Sequence, residues 1–219
     1  MEQIIIIVAL ILSIVMHEMA HGYAAFWLGD PTAKLQGRLS GNPLVHIDPL
    51  GSVIVPGLLF MTGSSVLFGW AKPVPFNPYN LSDQRYGEAK VAAAGPIMNL
   101  IIAFVFGTLI RFSEALALND AFIGIAVYVV FINILLALFN MIPFPPLDGS
   151  KIIMAILPFG AQQKYQRFLR KTEQYGIFVF FLVIFILIQV IWPYLFTAVA
   201  TVASWMTGLS AMEFVSMLR

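Results

Sequence analysis

His17, Glu18 and His21 stand together in the run His17-Glu18-Met19-Ala20-His21. On a helix, residues four apart lie on one face a turn apart, so both imidazoles can reach a single zinc ion while Glu18 sits beside it as a general base. That is the donor set of a metal-dependent hydrolase. The pentapeptide lies inside residues 4–28, where Glu18 is the only formally charged side chain. A run of that length can cross a bilayer, which takes about 20 residues. Ionisable groups at membrane depth are costly and rare, so this cluster points to chemistry rather than to polar side chains merely stacked in a helix bundle.

Catalytic zinc usually keeps three protein ligands and one open position. The chain has no cysteine, so thiolate sites, disulfides and cysteine nucleophiles are excluded, and the third ligand must be His, Asp or Glu. His46 is the one further histidine. Among the acids Asp148 stands out, because it follows an apolar span in Asn140-Met-Ile-Pro-Phe-Pro-Pro-Leu-Asp148-Gly149, where three prolines stop the helix from continuing normally.

The elements that must position these groups belong to a membrane protein. The chain is 60% hydrophobic and 11% charged, with mean hydropathy +0.89, against roughly 25% charged in soluble domains. A net charge of +1 gives no case for nucleic acid. No internal repeat or Ser/Gly linker divides the 219 residues, so the chain reads as one integral membrane unit, 1–219. Spans are expected at 4–28, 91–112, 121–142 and from 177 to about 192 or beyond, and the first of them lacks the basic start of a secretory signal. The fold class is an all-α polytopic helical bundle of about four to six membrane segments. Between the first two spans, Gly37, Gly41, Asn42 and Pro43 predict a small β-hairpin over 34–46. Residues 70–78, with Pro73, Pro75 and Pro78, read as extended. Residues 162–173 form a basic amphipathic segment suited to a membrane surface, and the apolar tail after Pro193 has no assigned path.

Basic residues collect on the cytoplasmic side. Lys34, Arg38, Lys72, Arg85 and Lys90 precede the second span, and Lys151, Lys164, Arg167, Arg170 and Lys171 follow the third, leaving Arg111 and Arg219. If both regions are cytoplasmic, the first helix runs inward. The irregular apolar stretch 51–69 must then dip in and return as a re-entrant segment, which requires cover from protein or water. His17, His21 and Asp148 all fall toward the cytoplasmic side in this topology and could converge.

Taken together, the His17 to His21 helix, the Gly95-Pro96-Ile97-Met98-Asn99 start of a later span and the Asn140 to Gly149 segment resemble the site-2 protease family of intramembrane zinc metalloproteases. The Asn42-Pro43-Leu44-Val45-His46-Ile47-Asp48-Pro49 and Gly69-Trp70-Ala71-Lys72-Pro73-Val74-Pro75 segments resemble its compact prokaryotic branch, without a PDZ insertion or nucleotide-binding module. The resemblance implies that His17, His21 and Asp148 bind zinc, that Glu18 is the catalytic base, and that the substrate is a transmembrane segment of another protein in the cell membrane. Such a segment must unwind locally to be cut, and the 34–46 hairpin is the candidate edge to hold it extended.

Several roles stay open at this stage. His46 is a loop histidine, a donor to a ligand, a stabiliser of the oxyanion or a displaceable ligand. Asn99 and Asn140 either hydrogen-bond neighbouring helices or face the substrate. A metal transporter or a scaffold with a structural metal is the rival class, but the polar residues gather near one depth instead of lining a path. A soluble protease on a hydrophobic anchor is excluded by a motif lying within the apolar run. No residue pattern fixes an oligomeric state.

Overall fold

A computed structural model describes residues 2–54, 61, 71–174 and 176–218. Helix α1 (Glu2–Trp27) is followed by a short α2 (Thr32–Leu35), a 3-10 turn at Pro43–His46, a π turn at Pro49–Ile54 and a 3-10 turn at Pro78–Asn80. Then come α3 (Gly87–Arg111), α4 (Asp120–Asn140), α5 (Asp148–Ile156), α6 (Phe159–Gln174), α7 (Gly176–Thr207) and α8 (Ala211–Ser216). Among the described residues, four stretches are long and apolar enough to cross a membrane: Ile6–Trp27, Gly87–Arg111, Asp120–Asn140 and Gln189–Thr207. The chain is an all-helical, multi-pass membrane protein.

Residue contacts set the direction of each helix. His21 of α1 meets Val91 of α3, while His17, one turn earlier, meets Asn99. These two helices are therefore antiparallel. Asn99 meets Asn133 and Phe106 meets Phe122, which makes α4 antiparallel to α3. Phe131 packs on Phe196 at 6.2 Å between ring centroids, and Arg111 at the end of α3 hydrogen-bonds the carbonyls of Trp205 and Met206. Helix α7 thus runs with α3 and against α4. Small residues make close approach possible: Ala92, Gly95 and Ala103 of α3 and Ala126 and Ala137 of α4 are buried. Around them Val127, Val130, Ile134, Val199 and Phe214 close one apolar core. Lipid replaces water on the outer faces, where Ile7, Val8, Ile11 and Leu12 of α1 and Ile101, Phe104 and Val105 of α3 are exposed.

The hairpin expected over 34–46 is not there, and the described residues contain no strand. The turn formers are used otherwise. Thr32–Leu35 closes a helical turn, and Asn42 caps the 3-10 turn by accepting from the Leu44 N–H at 3.0 Å, with Pro43 at its first position. Arg38, mostly buried, then donates to the carbonyls of Val45, Lys72 and Pro73. A guanidinium satisfies carbonyls that a strand ladder would otherwise take. The proposed substrate-holding edge falls with the hairpin. The expected re-entrant segment 51–69 lies, apart from 51–54 and Met61, outside the described residues. The stretch 71–77 is irregular, as its prolines require.

The last long helix does not stop at Trp192. Pro193 lacks an N–H and removes one intrahelical bond, but in an apolar medium nothing else can satisfy the remaining backbone groups, so the helix runs through it to Thr207. The tail then turns back, with Ser210 and Glu213 forming a reciprocal cap at the start of α8 that seats Phe214 in the core. At the opposite end, fully buried Asp30 follows α1 and accepts from Thr32 N and Oγ1, Asn77 N and Asn80 Nδ2 at 2.6–3.2 Å. It ties the end of α1 to the approach to α3.

Candidate metal centre

Two helices bring the donors of one polar cluster together. α1 presents His17 and His21 a turn apart, with ring centroids 4.6 Å apart and planes at 87°. Asp148, in the first turn of α5, places Oδ2 3.1 Å from His17 Nε2 and 3.3 Å from His21 Nε2. A helix N-terminus favours a carboxylate there. Burial would raise the Asp148 carboxyl, but the hydrogen bonds and charge of the two imidazoles outweigh it and hold the group well below the usual carboxylate range.

The far side of each imidazole is also engaged. His21 Nδ1 lies 2.7 Å from the carbonyl oxygen of Val91, which can only accept, so Nδ1 carries a proton and Nε2, turned toward Asp148, is the nitrogen left to bind a metal. His17 Nδ1 lies 2.5 Å from Asn99 Oδ1. His17, His21 and Asp148 each offer one donor atom within 4.8 Å of the others, a group that could hold a metal ion. Two imidazole nitrogens and one carboxylate oxygen suit zinc.

Two glycines are needed to build this cradle. A Cβ on Gly95 of α3 would stand 2.5 Å from His21 Nε2 and 2.6 Å from His17 Nε2, in the space between the donors. A Cβ on Gly149 would strike the backbone carbonyls of Met141 and Ile142, so only glycine lets α5 start beside the end of α4.

Glu18 faces the same cleft. Its Oε2 accepts the Val74 N–H at 2.9 Å, which fixes the carboxylate against the irregular 71–77 segment. Pro73, Phe76, Asn140, Pro146 and Lys151 complete the wall, and Lys151 Nζ sits 5.4 Å above the Phe76 ring. The cluster thus gathers His17, Glu18, His21 and Asp148, with Asn140 on the cleft wall, where its Nδ2 bonds its own helix at Leu136 O. Asn99 is fully buried behind His17 and does not line the cleft. His46 is not brought in: it is 2% exposed, and its Nε2 bonds the Ser40 carbonyl at 2.9 Å, within its own loop. Sequence reasoning gave Val74 no role beyond its place in the 69–75 segment and singled out neither Ser13 nor Asn133. For Asn133 a signal existed, since a lone amide in the middle of an apolar span is costly unless it has a partner.

A polytopic helical protein with a buried His-His-Asp cluster and an adjoining glutamate is a membrane metallohydrolase in design. The family model described as peptidase family M50 matches residues 5–123 and 110–187. YwhC of Bacillus subtilis is 38% identical over 202 residues, 87% of this chain and 85% of its own. Rip2 of Mycolicibacterium smegmatis is 28% identical over 176 residues, 80% of this chain and 64% of its own. MJ0611 of Methanocaldococcus jannaschii is 41% identical over 99 residues, 44% and 50% of the two chains. All three carry the provisional name of zinc metalloproteases. No solved structure matches the chain. The chain belongs to peptidase family M50, the site-2 protease family, and is a zinc metalloprotease.

Proposed function

We propose that the protein is an intramembrane endopeptidase that hydrolyses peptide bonds within or near transmembrane segments of other membrane proteins, with His17, His21 and Asp148 holding zinc and Glu18 as general base. The observation that carries this reading is the position of the cluster. His17, Glu18 and His21 lie within the apolar helix Ile6–Trp27, in the bundle interior and not on an appended soluble face. A bond cut there must belong to a chain that shares the membrane.

Zinc, when bound, supplies Lewis acidity at the scissile carbonyl and lowers the pKa of water. The chain supplies the rest. Glu18 takes a proton from the attacking water and returns it to the leaving amine nitrogen. The Val74 N–H orients that carboxylate, and the buried helix faces keep bulk water from the donors. A substrate helix shields its own peptide bonds, so it must unwind before one reaches the cleft.

The helix directions also support a cytoplasmic site. Segments 28–86 and 141–175 leave the same end of the bundle and hold nine of the twelve Lys and Arg residues, with Lys90 a tenth in the first turn of α3 at that end. In a cell membrane this end faces the cytoplasm.

The test uses purified protein in liposomes with a labelled transmembrane substrate library. Glu18→Gln should retain zinc and lose cleavage, whereas His17→Ala should lose both. Undiminished cleavage by Glu18→Gln would sink the base assignment, and zinc flux without proteolysis would make the protein a transporter. Capture of uncleaved membrane proteins by Glu18→Gln, read by mass spectrometry, would identify substrates.

A further inference from the structure

Behind His17 a file of buried polar groups crosses three helices. Asn99 Oδ1 faces His17 Nδ1, and Asn99 Nδ2 donates to Asn133 Oδ1 at 2.7 Å. Asn133 Nδ2 in turn donates to Ser13 Oγ at 2.8 Å, whose hydroxyl donates to Ala9 O at 2.7 Å. Ser13 is 4% exposed, and Asn99 and Asn133 are fully buried. Three polar side chains stacked in an apolar bundle are costly, and each here has its partners.

The direction of every bond in the file is forced by groups that cannot change role. An amide oxygen and nitrogen are hard to tell apart by shape, so their orientation has to follow from their neighbours. Val129 O and Ala9 O are backbone carbonyls and only accept. Asn133 has one amide atom 2.9 Å from Val129 O, and that atom must be the NH2. The Ser13 proton is committed to Ala9 O, so its oxygen accepts from the same NH2. Asn133 therefore turns its oxygen to Asn99. Asn99 must meet an oxygen with its NH2, which also lies 3.4 Å from the carbonyl of Ser13. The remaining Asn99 atom, facing His17 Nδ1, is then an oxygen, and the ring nitrogen must carry the proton. Flipping either amide would set oxygen against oxygen in a fully buried site.

We infer that Asn133 and Ser13 are positioning residues that act through Asn99 to hold His17 as the Nδ1–H tautomer, with the Nε2 lone pair aimed at the metal. The inference rests on His17 being a zinc ligand. His21 reaches the same state with one carbonyl, Val91 O. His17 sits deeper along α1, and the polar file takes the place of that carbonyl.

The experiment uses the full chain in detergent, 15N-labelled at histidine. With only three histidines, each side chain can be assigned. In the zinc-loaded wild type, His17 should show metal on Nε2 and a slowly exchanging proton on Nδ1. Asn133→Leu should expose that proton to exchange and weaken zinc binding about tenfold in competition with a chelator. Asn99→Leu should weaken it by up to about 100-fold, the range for groups that orient a metal-bound histidine. The double variant should bind no worse than Asn99→Leu alone. Metal on Nδ1 of wild-type His17 would overturn the inference without any variant. So would an Asn133→Leu protein with an unchanged Nδ1 proton and affinity, or losses that multiply in the double variant, which would mean general loosening of the bundle. Zinc retained by His17→Ala would instead refute the ligand assignment itself, and the two failures are thereby told apart.

Discussion

Gly95→Ala is the sharpest test of the cradle, because two effects of the added methyl have opposite signs. In the middle of α3, alanine is the better helix former by about 0.8–1 kcal/mol, so on local grounds the variant gains stability. The methyl, however, would stand 2.5 Å from His21 Nε2 and 2.6 Å from His17 Nε2 and Cε1, where ordinary contact begins at 3.4 Å. Each imidazole must retreat by roughly 0.8 Å, while zinc–nitrogen bonds tolerate departures of only about 0.2 Å. The displacement strikes the two donor atoms themselves. We expect zinc affinity to fall at least about 100-fold, or about 2.7 kcal/mol, with proteolysis lost in parallel. The assay is zinc stoichiometry and chelator competition on purified protein, with melting of the metal-free form measured alongside. Gly107→Ala is the control: its methyl meets Met206 Cβ at 2.9 Å, away from the cluster, and should lower the melting temperature without touching zinc. Stoichiometric zinc at wild-type affinity in Gly95→Ala would refute the reasoning.

Other expected outcomes follow from the same geometry. Glu18→Gln should keep its zinc and lose between about 10²-fold and 10⁴-fold in kcat, the usual worth of a general base, as read by single-turnover cleavage. Asp148→Ala should abolish tight zinc binding in the same chelator assay, since it removes the one carboxylate facing both imidazoles. Asp30→Ala leaves the donors on Thr32, Asn77 and Asn80 unpaired and should destabilise the fold by about 2–3 kcal/mol in denaturant melts. Burial alone would raise the Asp30 carboxyl, but those hydrogen bonds hold it below its usual value. Its contribution is therefore complete at neutral pH and fades as pH drops below about 4, so the gap between wild type and Asp30→Asn should narrow in melts at low pH.

Hydropathy located the membrane helices because a span must be apolar along its length whatever it packs against. It set the start of α3 at 91 rather than Gly87, since Glu88 and Lys90 interrupt the apolar run within the first turn of the helix. Pro193 left the end of the last span open, because proline ends helices when water can take over the freed carbonyl, whereas in an apolar setting the helix persists to Thr207. The hairpin failed for a related reason. Gly37, Asn42 and Pro43 are turn formers, but their turns connect helical pieces held by Arg38, a long-range partner with no signature in local sequence. In the candidate site the donors were legible because their spacing and cost mark them. The groups behind them were not: Ser13 and Asn133 are 120 positions apart, and only the assembled bundle gives their pairing a meaning.

That separation along the chain has a consequence in time. Asp148 follows His17 by 131 residues, which a ribosome adding about 5–20 residues per second needs on the order of ten seconds to make. Throughout that interval α1 carries both histidines and Glu18 among the transmembrane segments of other nascent proteins, with the carboxylate they converge on not yet made. On the proposed ligand set the chain begins life inert, and its proteolytic competence dates from the moment α5 docks against α3.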